Sequence, residues 1–159
     1  MDELDSAIIG HLQSDARQTN RELARRLGVA PSTALERVRL LRRRGVIRGY
    51  RAEISLAALN RRVQAFVAAR VRPLSRTVID GFQAALVELP EVLAVFVVSG
   101  DDDFLIHVAV QDLEHLHAFL IDRLSQRREV VSFRSSVIYQ SVGNTALTQL
   151  PAAPTDSVG

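Results

Sequence analysis

Residues Thr19–Arg48, TNRELARRLGVAPSTALERVRLLRRRGVIR, decide how the rest of the chain is read. Two short helical patterns lie in this stretch, separated by a tight turn and closed by Gly45. Thr19 stands where an N-cap belongs, and Glu22 follows at the spacing of a reciprocal capping box. Leu23 and Leu27 share one face, with Ala24 as the small residue that lets a second helix approach. Gly28 tolerates left-handed backbone, which ends the first helix and lets Val29 fold back onto the core.

The second helix starts near Pro31, whose missing amide is not needed at a first helical position. Ala34, Val38 and Leu41 recur at helical spacing and predict a buried face. The other face carries Ser32, Thr33, Glu36, Arg37 and Arg39. Small polar residues followed by arginines suit a helix that enters a major groove and meets phosphates on the way. The stretch therefore predicts a helix-turn-helix. Its candidate DNA-binding residues are Pro31, Ser32, Thr33, Glu36, Arg37, Arg39, Arg43 and Arg48. Glu36 could accept from a cytosine amine or pair with a nearby arginine. Arg42, Arg43 and Arg44 could serve the DNA backbone or merely suit a helix carboxyl end.

Charge distribution supports that reading. Residues 1–50 carry ten Arg against six acidic groups, a balance of +4, and residues 51–159 carry ten against twelve, a balance of −2. The basic third is the one that would meet a polyanion. All twenty basic residues are Arg, a bias to which we attach no function. The chain has no cysteine, which excludes disulfides and thiol chemistry. The acidic start MDELDSAII lacks the basic region of a signal peptide, and no apolar run is long enough to span a bilayer. A cytoplasmic protein without a membrane partner is expected.

Upstream, Leu4, Ile8, Ile9 and Leu12 form an apolar stripe that predicts a first helix ending near Gln13–Ser14. Three helices over residues 4–45 bury little by themselves, so a larger body is expected. Val46–Tyr50 reads as a short extended wing with Arg48 at its tip. Residues 51–62 read as a linker containing a strand and a short helical turn.

A different organisation begins at Val63. VQAFVAARV reads as a strand with Val63, Ala65, Val67, Ala69 and Val71 on one face. Thr77 to Leu89 is an amphipathic helix stopped by Pro90. Val92 to Ser99 is a strand, Gly100–Asp103 a turn, and Phe104 to Val110 its hairpin partner. A second helix starts at Asp112, with Leu113, Leu116, Phe119, Leu120 and Leu124 as its buried stripe. Val130 to Val142 is a long last strand. This βαββαβ order is ferredoxin-like and makes the whole an α+β protein. The expected division is a DNA-binding domain over 1–50, a linker over 51–62, the ferredoxin-like domain over 63–142, and a loose extension over 143–159.

Both helices of that order cover one face of the sheet. In the strand after Pro90, Ala94, Phe96 and Val98 oppose Leu93, Val95 and Val97, so both faces are apolar. A bare apolar sheet face marks an interface. A homodimer through those faces would carry the heads as a pair, as palindromic operators in double-stranded DNA require.

The chain resembles the leucine-responsive regulator / asparagine-regulator (Lrp/AsnC) family, also called feast/famine regulators. The likeness runs from LDSAIIGHLQSDARQTNRELARRLGV through GVIRGYRA to LPEVLAVFVVSGDDDFLIHVAVQDL and FRSSVIYQSV. The head alone is common to many regulators. Joined to Leu89-Pro90-Glu91-Val92 and the Gly100-Asp101-x-Asp103 turn, it is far more specific. The resemblance implies a helix-turn-helix head on a ferredoxin-like sensing and assembly domain. It also implies dimers that assemble into octamers, and an amino-acid effector bound between dimers. Carried over, the effector site takes in Ser99, Gly100, Asp101, Asp103 and Ser136. The backbone of Gly100 and Asp101 would hold the effector, and Asp103 would meet its ammonium group. Ala30 departs from the serine cap usual in the family, and Leu40 occupies a position commonly charged.

Read on their own, Asp101, Asp102 and Asp103 are either hairpin-turn residues or a site. Three carboxylates in one turn repel one another unless a cation or donor compensates. His107, His115 and His117 do not share a face and predict no metal site. No nucleophile–base spacing stands out, so no enzyme and no cofactor are expected. The expected function is a sequence-specific, amino-acid-responsive transcriptional regulator. The alternative is an architectural DNA-binding assembly protein with little sequence specificity or no effector.

Overall fold

The computed structural model describes residues 1–151. They form two compact units, residues 53–141 and a head built from residues 1–52 together with the chain from Val142 onward.

In the head, α1 (Glu3–Ser14), α2 (Asn20–Leu27) and α3 (Pro31–Arg43) pack around Ile8, Leu23 and Leu41. The capping box at α2 is complete. Thr19 N–H donates to Glu22 Oε2 (2.8 Å), and Glu22 N–H donates to Thr19 Oγ1 (3.2 Å). Gly28 ends α2 in left-handed backbone, and the Val29 amide reaches back to the Ala24 carbonyl. Ala24 and Ala34 are buried, which lets α2 and α3 approach closely. Ala30 caps α3 without a side-chain hydrogen bond. Nearby, Asn20 Nδ2 donates to the Pro31 carbonyl at 2.7 Å and ties the start of α2 to the start of α3.

The predicted wing does not form a strand. After Gly45 the amides of Val46 and Ile47 both return to the Leu41 carbonyl, and Ile47 packs on the head core. That double return curls the chain instead of extending it. The linker likewise lacks its predicted strand and holds only a short 3₁₀ turn, Ala57–Leu59.

The sheet unit runs β1 (Val63–Val71), α4 (Arg76–Val87), β2 (Val92–Val97), β3 (Phe104–Val110), α5 (Leu113–Phe119) and β4 (Val130–Val137). A π-helical turn, Leu120–Ser125, extends α5. The strands are all antiparallel, in the order β2-β3-β1-β4. This is the predicted ferredoxin-like order. The inward row of β1, from Ala65 to Val71, packs on Phe104, Ile106 and Val108, and against Phe82, Leu86, Phe119 and Leu124 from the helical layer. Phe82 and Phe104 meet edge-on at 4.8 Å.

Three details depart from the sequence pattern. Leu113, counted in the buried stripe, is 61% exposed at the first position of α5, beside its cap Asp112. A bulge between Val92 and Ala94 takes Leu93 out of register, so β2 packs on the core through Val92 and Val95, while Val97 is 51% exposed. Strand β4 ends at Val137 and does not run to Val142. The chain beyond it returns to the head, where Gln13 grips the Leu147 backbone at both ends: Nε2 donates to its carbonyl (2.9 Å) and Oε1 accepts from its amide (2.8 Å). The last residues of the expected loose tail lie outside the described chain.

Candidate nucleic-acid interface and effector turn

Along α3, Ser32, Glu36, Arg39 and Arg43 fall at i, i+4, i+7 and i+11, and all four are exposed. They form one stripe opposite the buried Ala34 and Leu41. Pro31 starts the stripe, Thr33 flanks it half-buried, and Arg48 is exposed beyond the helix. A hydroxyl, a carboxylate and two guanidiniums in line offer donors and acceptors for base edges, and cations for phosphates.

Arg37 is placed differently. It lies on the flank of α3 nearer the core, and its Nη1 reaches α1, touching Asp2 Oδ2 and lying 3.2 Å from Asp5 Oδ1. The Asp5 side chain is only 3% exposed, and Arg37 is its one ion-pair partner among the described residues. Asp2 also caps α1, accepting from the Asp5 amide at 2.8 Å. That hydrogen bond, and then the Arg37 contact, hold the Asp2 carboxyl below its ordinary value. The same contact raises the Arg37 guanidinium. A buried carboxylate without a partner is costly, so Arg37 is held where Asp5 needs it. Nothing in the spacing of α3 distinguished Arg37 from Arg39. The N-cap position of Asp2 and the burial of Asp5 were the missing signals.

The turn between β2 and β3 is closed by the Val98 amide donating to the Asp103 carbonyl (3.0 Å) and by Gly100 at a φ of 132°. Its three carboxylates are not left to repel. Asp103 Oδ2 accepts from the Val71 amide (2.8 Å) and from Arg72 Nη1 (3.0 Å). Asp102 is held by both terminal nitrogens of Arg134 on β4. Asp101 alone is exposed and has no hydrogen bond or ion pair among the described residues. The compensation predicted for the turn thus comes from arginines of the same chain. Ser99, Gly100 and Asp101 stand together at the tip. Ser136 does not join them. It pairs with Phe66, which faces His107, three residues along β3 from the end nearest the turn, or about 10 Å by strand rise.

The outer sheet face collects Phe66, Ala68, Ala94, Phe96, Leu105 and His107 by register. Phe96 is 48% exposed. His107 stacks on Phe66 with ring centroids 4.8 Å apart, and its Nε2 lies 3.1 Å from Gln64 Oε1. Burial lowers its proton affinity below the ordinary imidazole value.

Among the described residues no cluster of His, Asp or Glu could hold a metal, and no helix is long and apolar enough to cross a membrane.

Comparison with known proteins bears on both units. Residues 64–147 match the Lrp/AsnC ligand binding domain, and residues 1–48 match a winged helix-turn-helix DNA-binding domain. The chain is 36% identical over 140 residues to the HTH-type transcriptional regulator AldR of Mycolicibacterium smegmatis, covering 88% of this chain and 82% of that protein. It is 33% identical over 150 residues to the leucine-responsive regulatory protein of Rhizobium meliloti, covering 94% and 96%. A crystal structure of a Neisseria meningitidis transcriptional regulator in complex with L-Met superposes with a TM-score of 0.85 at 30% identity, covering 95% and 96%. The structure of Escherichia coli AsnC superposes with a TM-score of 0.80 at 28% identity, covering 89% and 93%. A head with an exposed basic stripe, a ferredoxin-like sheet and matches across nearly the whole length lead to one assignment: the chain belongs to the Lrp/AsnC family of DNA-binding transcriptional regulators.

Proposed function

We propose that this regulator reads a palindromic operator with the Ser32–Glu36–Arg39–Arg43 stripe of α3, and that an amino acid bound at the β2–β3 turn adjusts its assembly. The observation that carries the first half is the exposed stripe itself. Pro31 and Thr33 set its approach, and Arg48 reaches the DNA backbone beside it. Arg37 contributes by holding α3 against α1 through Asp2 and Asp5, and makes no phosphate contact of its own.

The second half rests on the tip of the turn. Asp101 is an unspent carboxylate suited to an ammonium group, and the Ser99 and Gly100 backbone stands beside it. Asp103, expected to meet the ammonium, instead braces the turn against Val71 and Arg72. Ser136 lies on the outer sheet face and belongs with the dimer contact. The L-Met bound by the Neisseria meningitidis relative supports an amino-acid effector.

Dimers form through the outer face around Phe96, and the effector biases how dimers associate, which sets the spacing of paired α3 helices. An octamer of four dimers is the assembly this reading favours, and the cytoplasm is its compartment. The family holds regulators, so no reaction is assigned.

The test is operator binding against random DNA at two salt concentrations, with and without each of the twenty amino acids, and mass in solution beside each hit. Operator preference that survives added salt, with one amino acid changing both affinity and mass, is the expected result. Equal binding to both DNAs with a steep salt dependence would make the protein architectural instead. Binding that no amino acid alters would remove the effector.

A further inference from the structure

Beside the polar stripe of α3 stands one apolar side chain that the head leaves open to solvent. Leu35 is 37% exposed, and Ser32 and Arg39, three residues before it and four after, are its neighbours on the helix surface. It widens the stripe on the side of the helix away from Arg37. The head core does not account for it. Ala34 and Leu41 are buried on the opposite face, and Val38 packs against Ile8, Leu23 and Leu41, whereas Leu35 takes no part in that cluster. Helix propensity does not account for it either, since arginine, glutamine or glutamate would serve an exposed helical position as well. A single exposed leucine is ordinary on an idle surface, but this one lies among the groups assigned to DNA.

A duplex offers such a side chain few partners. A phosphate needs a cation or a hydrogen-bond donor, and leucine has neither. Against a base edge that carries only donors and acceptors, it would displace water without replacing the lost hydrogen bonds. The C5 methyl of thymine is the apolar group that the bases present in the major groove. We propose that Leu35 is a specificity-determining residue of α3, packing against the C5 methyl of a thymine in each half-site. The inference rests on the reading of α3 as the operator-facing helix. Leu35 stands in the first half of that 13-residue helix, the half that recognition helices direct at base edges. Burying one methyl group in this way contributes about fourfold in affinity for each half-site, and about fifteenfold for the pair. Ser32 and Arg39 discriminate by hydrogen bonding, so Leu35 adds a kind of selection that the polar stripe lacks.

A random-sequence duplex pool selected by the full-length protein supplies the operator, and each thymine of the enriched half-site is then replaced by deoxyuridine. Deoxyuridine keeps every pairing and hydrogen-bonding group and lacks only the C5 methyl. One such replacement, made in both half-sites, should weaken wild-type binding by about fifteenfold. Leu35→Ala should bind the thymine operator at least as weakly as the wild type binds the deoxyuridine one. It should then lose less than about twofold on the replacement, as a directly coupled pair requires. Its salt slope should equal that of the wild type, because no phosphate contact is removed. Leu35→Gln, similar in length but polar, should behave as Leu35→Ala does, and it takes that variant's place if Leu35→Ala fails to fold. An enriched half-site whose thymines all tolerate the replacement would overturn the proposal. So would a Leu35→Ala protein that keeps the wild-type sensitivity to deoxyuridine. A pool in which no sequence is enriched would instead remove the operator reading itself, and this inference with it.

Discussion

The head and the turn of the sheet unit solve the same electrostatic problem in opposite ways. In the head, one arginine is shared by two carboxylates: Arg37 serves both Asp2 and Asp5. In the turn, two of three carboxylates each have their own arginine, Arg72 for Asp103 and Arg134 for Asp102. The remainders differ in sign. Pairing leaves the head with Arg39, Arg43 and Arg48 free of ion pairs among the described residues, and the turn with Asp101. A count of charges along the chain identifies the basic and acidic regions, but pairing decides which charges are available to a ligand.

The outer sheet face, where Phe96 is 48% exposed, is the control for this comparison, since the contact we propose there is apolar. Phe96→Asp should raise the dimer dissociation constant by roughly 100-fold or more, about 3 kcal/mol, read as a fall in mass on dilution. An unchanged mass would remove that face from the interface. Next in size is the free stripe. Arg39→Ala should weaken operator binding by about 1–3 kcal/mol and, where it meets a phosphate, lower the salt slope by about one.

Arg37→Met sharpens the contrast. It should leave the salt slope unchanged but lower the stability of the head, because Asp5 is then buried without a partner. Adding Asp5→Asn should restore part of that loss, a coupling that denaturant titration of the four proteins would measure. A slope reduced by one in Arg37→Met would instead put Arg37 on a phosphate. At the turn, Asp103→Asn should loosen the hairpin and blunt any amino-acid response, while Asp101→Asn removes the response and leaves the hairpin intact. Calorimetry beside thermal melts separates the two.

The smallest effect expected is a pH dependence at His107. Burial lowers its folded-state proton affinity, so the unfolded chain takes up the proton more readily. The stabilisation is full above the ordinary value of 6.5 and declines as pH falls below it. Thermal melts between pH 7 and pH 5 should show a shallow decline that His107→Gln flattens.

Much of the fold was legible because it rests on local signals. Thr19 with Glu22, Gly28, Pro31 and the alternation from Val63 to Val71 each fix backbone through their own neighbours. The features that were missed depend on distant partners. Leu93 fits the strand alternation, yet the bulge beside it depends on how β3 pairs with β2. Val46–Tyr50 has strand-forming residues, but the Leu41 carbonyl takes two of its amides. In the candidate site the stripe could be read from helical spacing. The separation of Arg37 from Arg39, and of Asp103 from Asp101, could not, because each depends on a residue roughly thirty positions away that no periodicity announces.

The grip of Gln13 on Leu147 gives the head a history as well as a shape. These residues stand 134 apart, so the two ends of the described chain must meet before the head is complete. On the ribosome the three helices emerge before the sheet unit, yet the surface around Leu12 and Ile47 receives its last strip of chain only after the whole sheet unit has been made. The head is thus begun before the sheet unit and finished after it. A nascent chain cut short before residue 147 would carry α3 without that final contact.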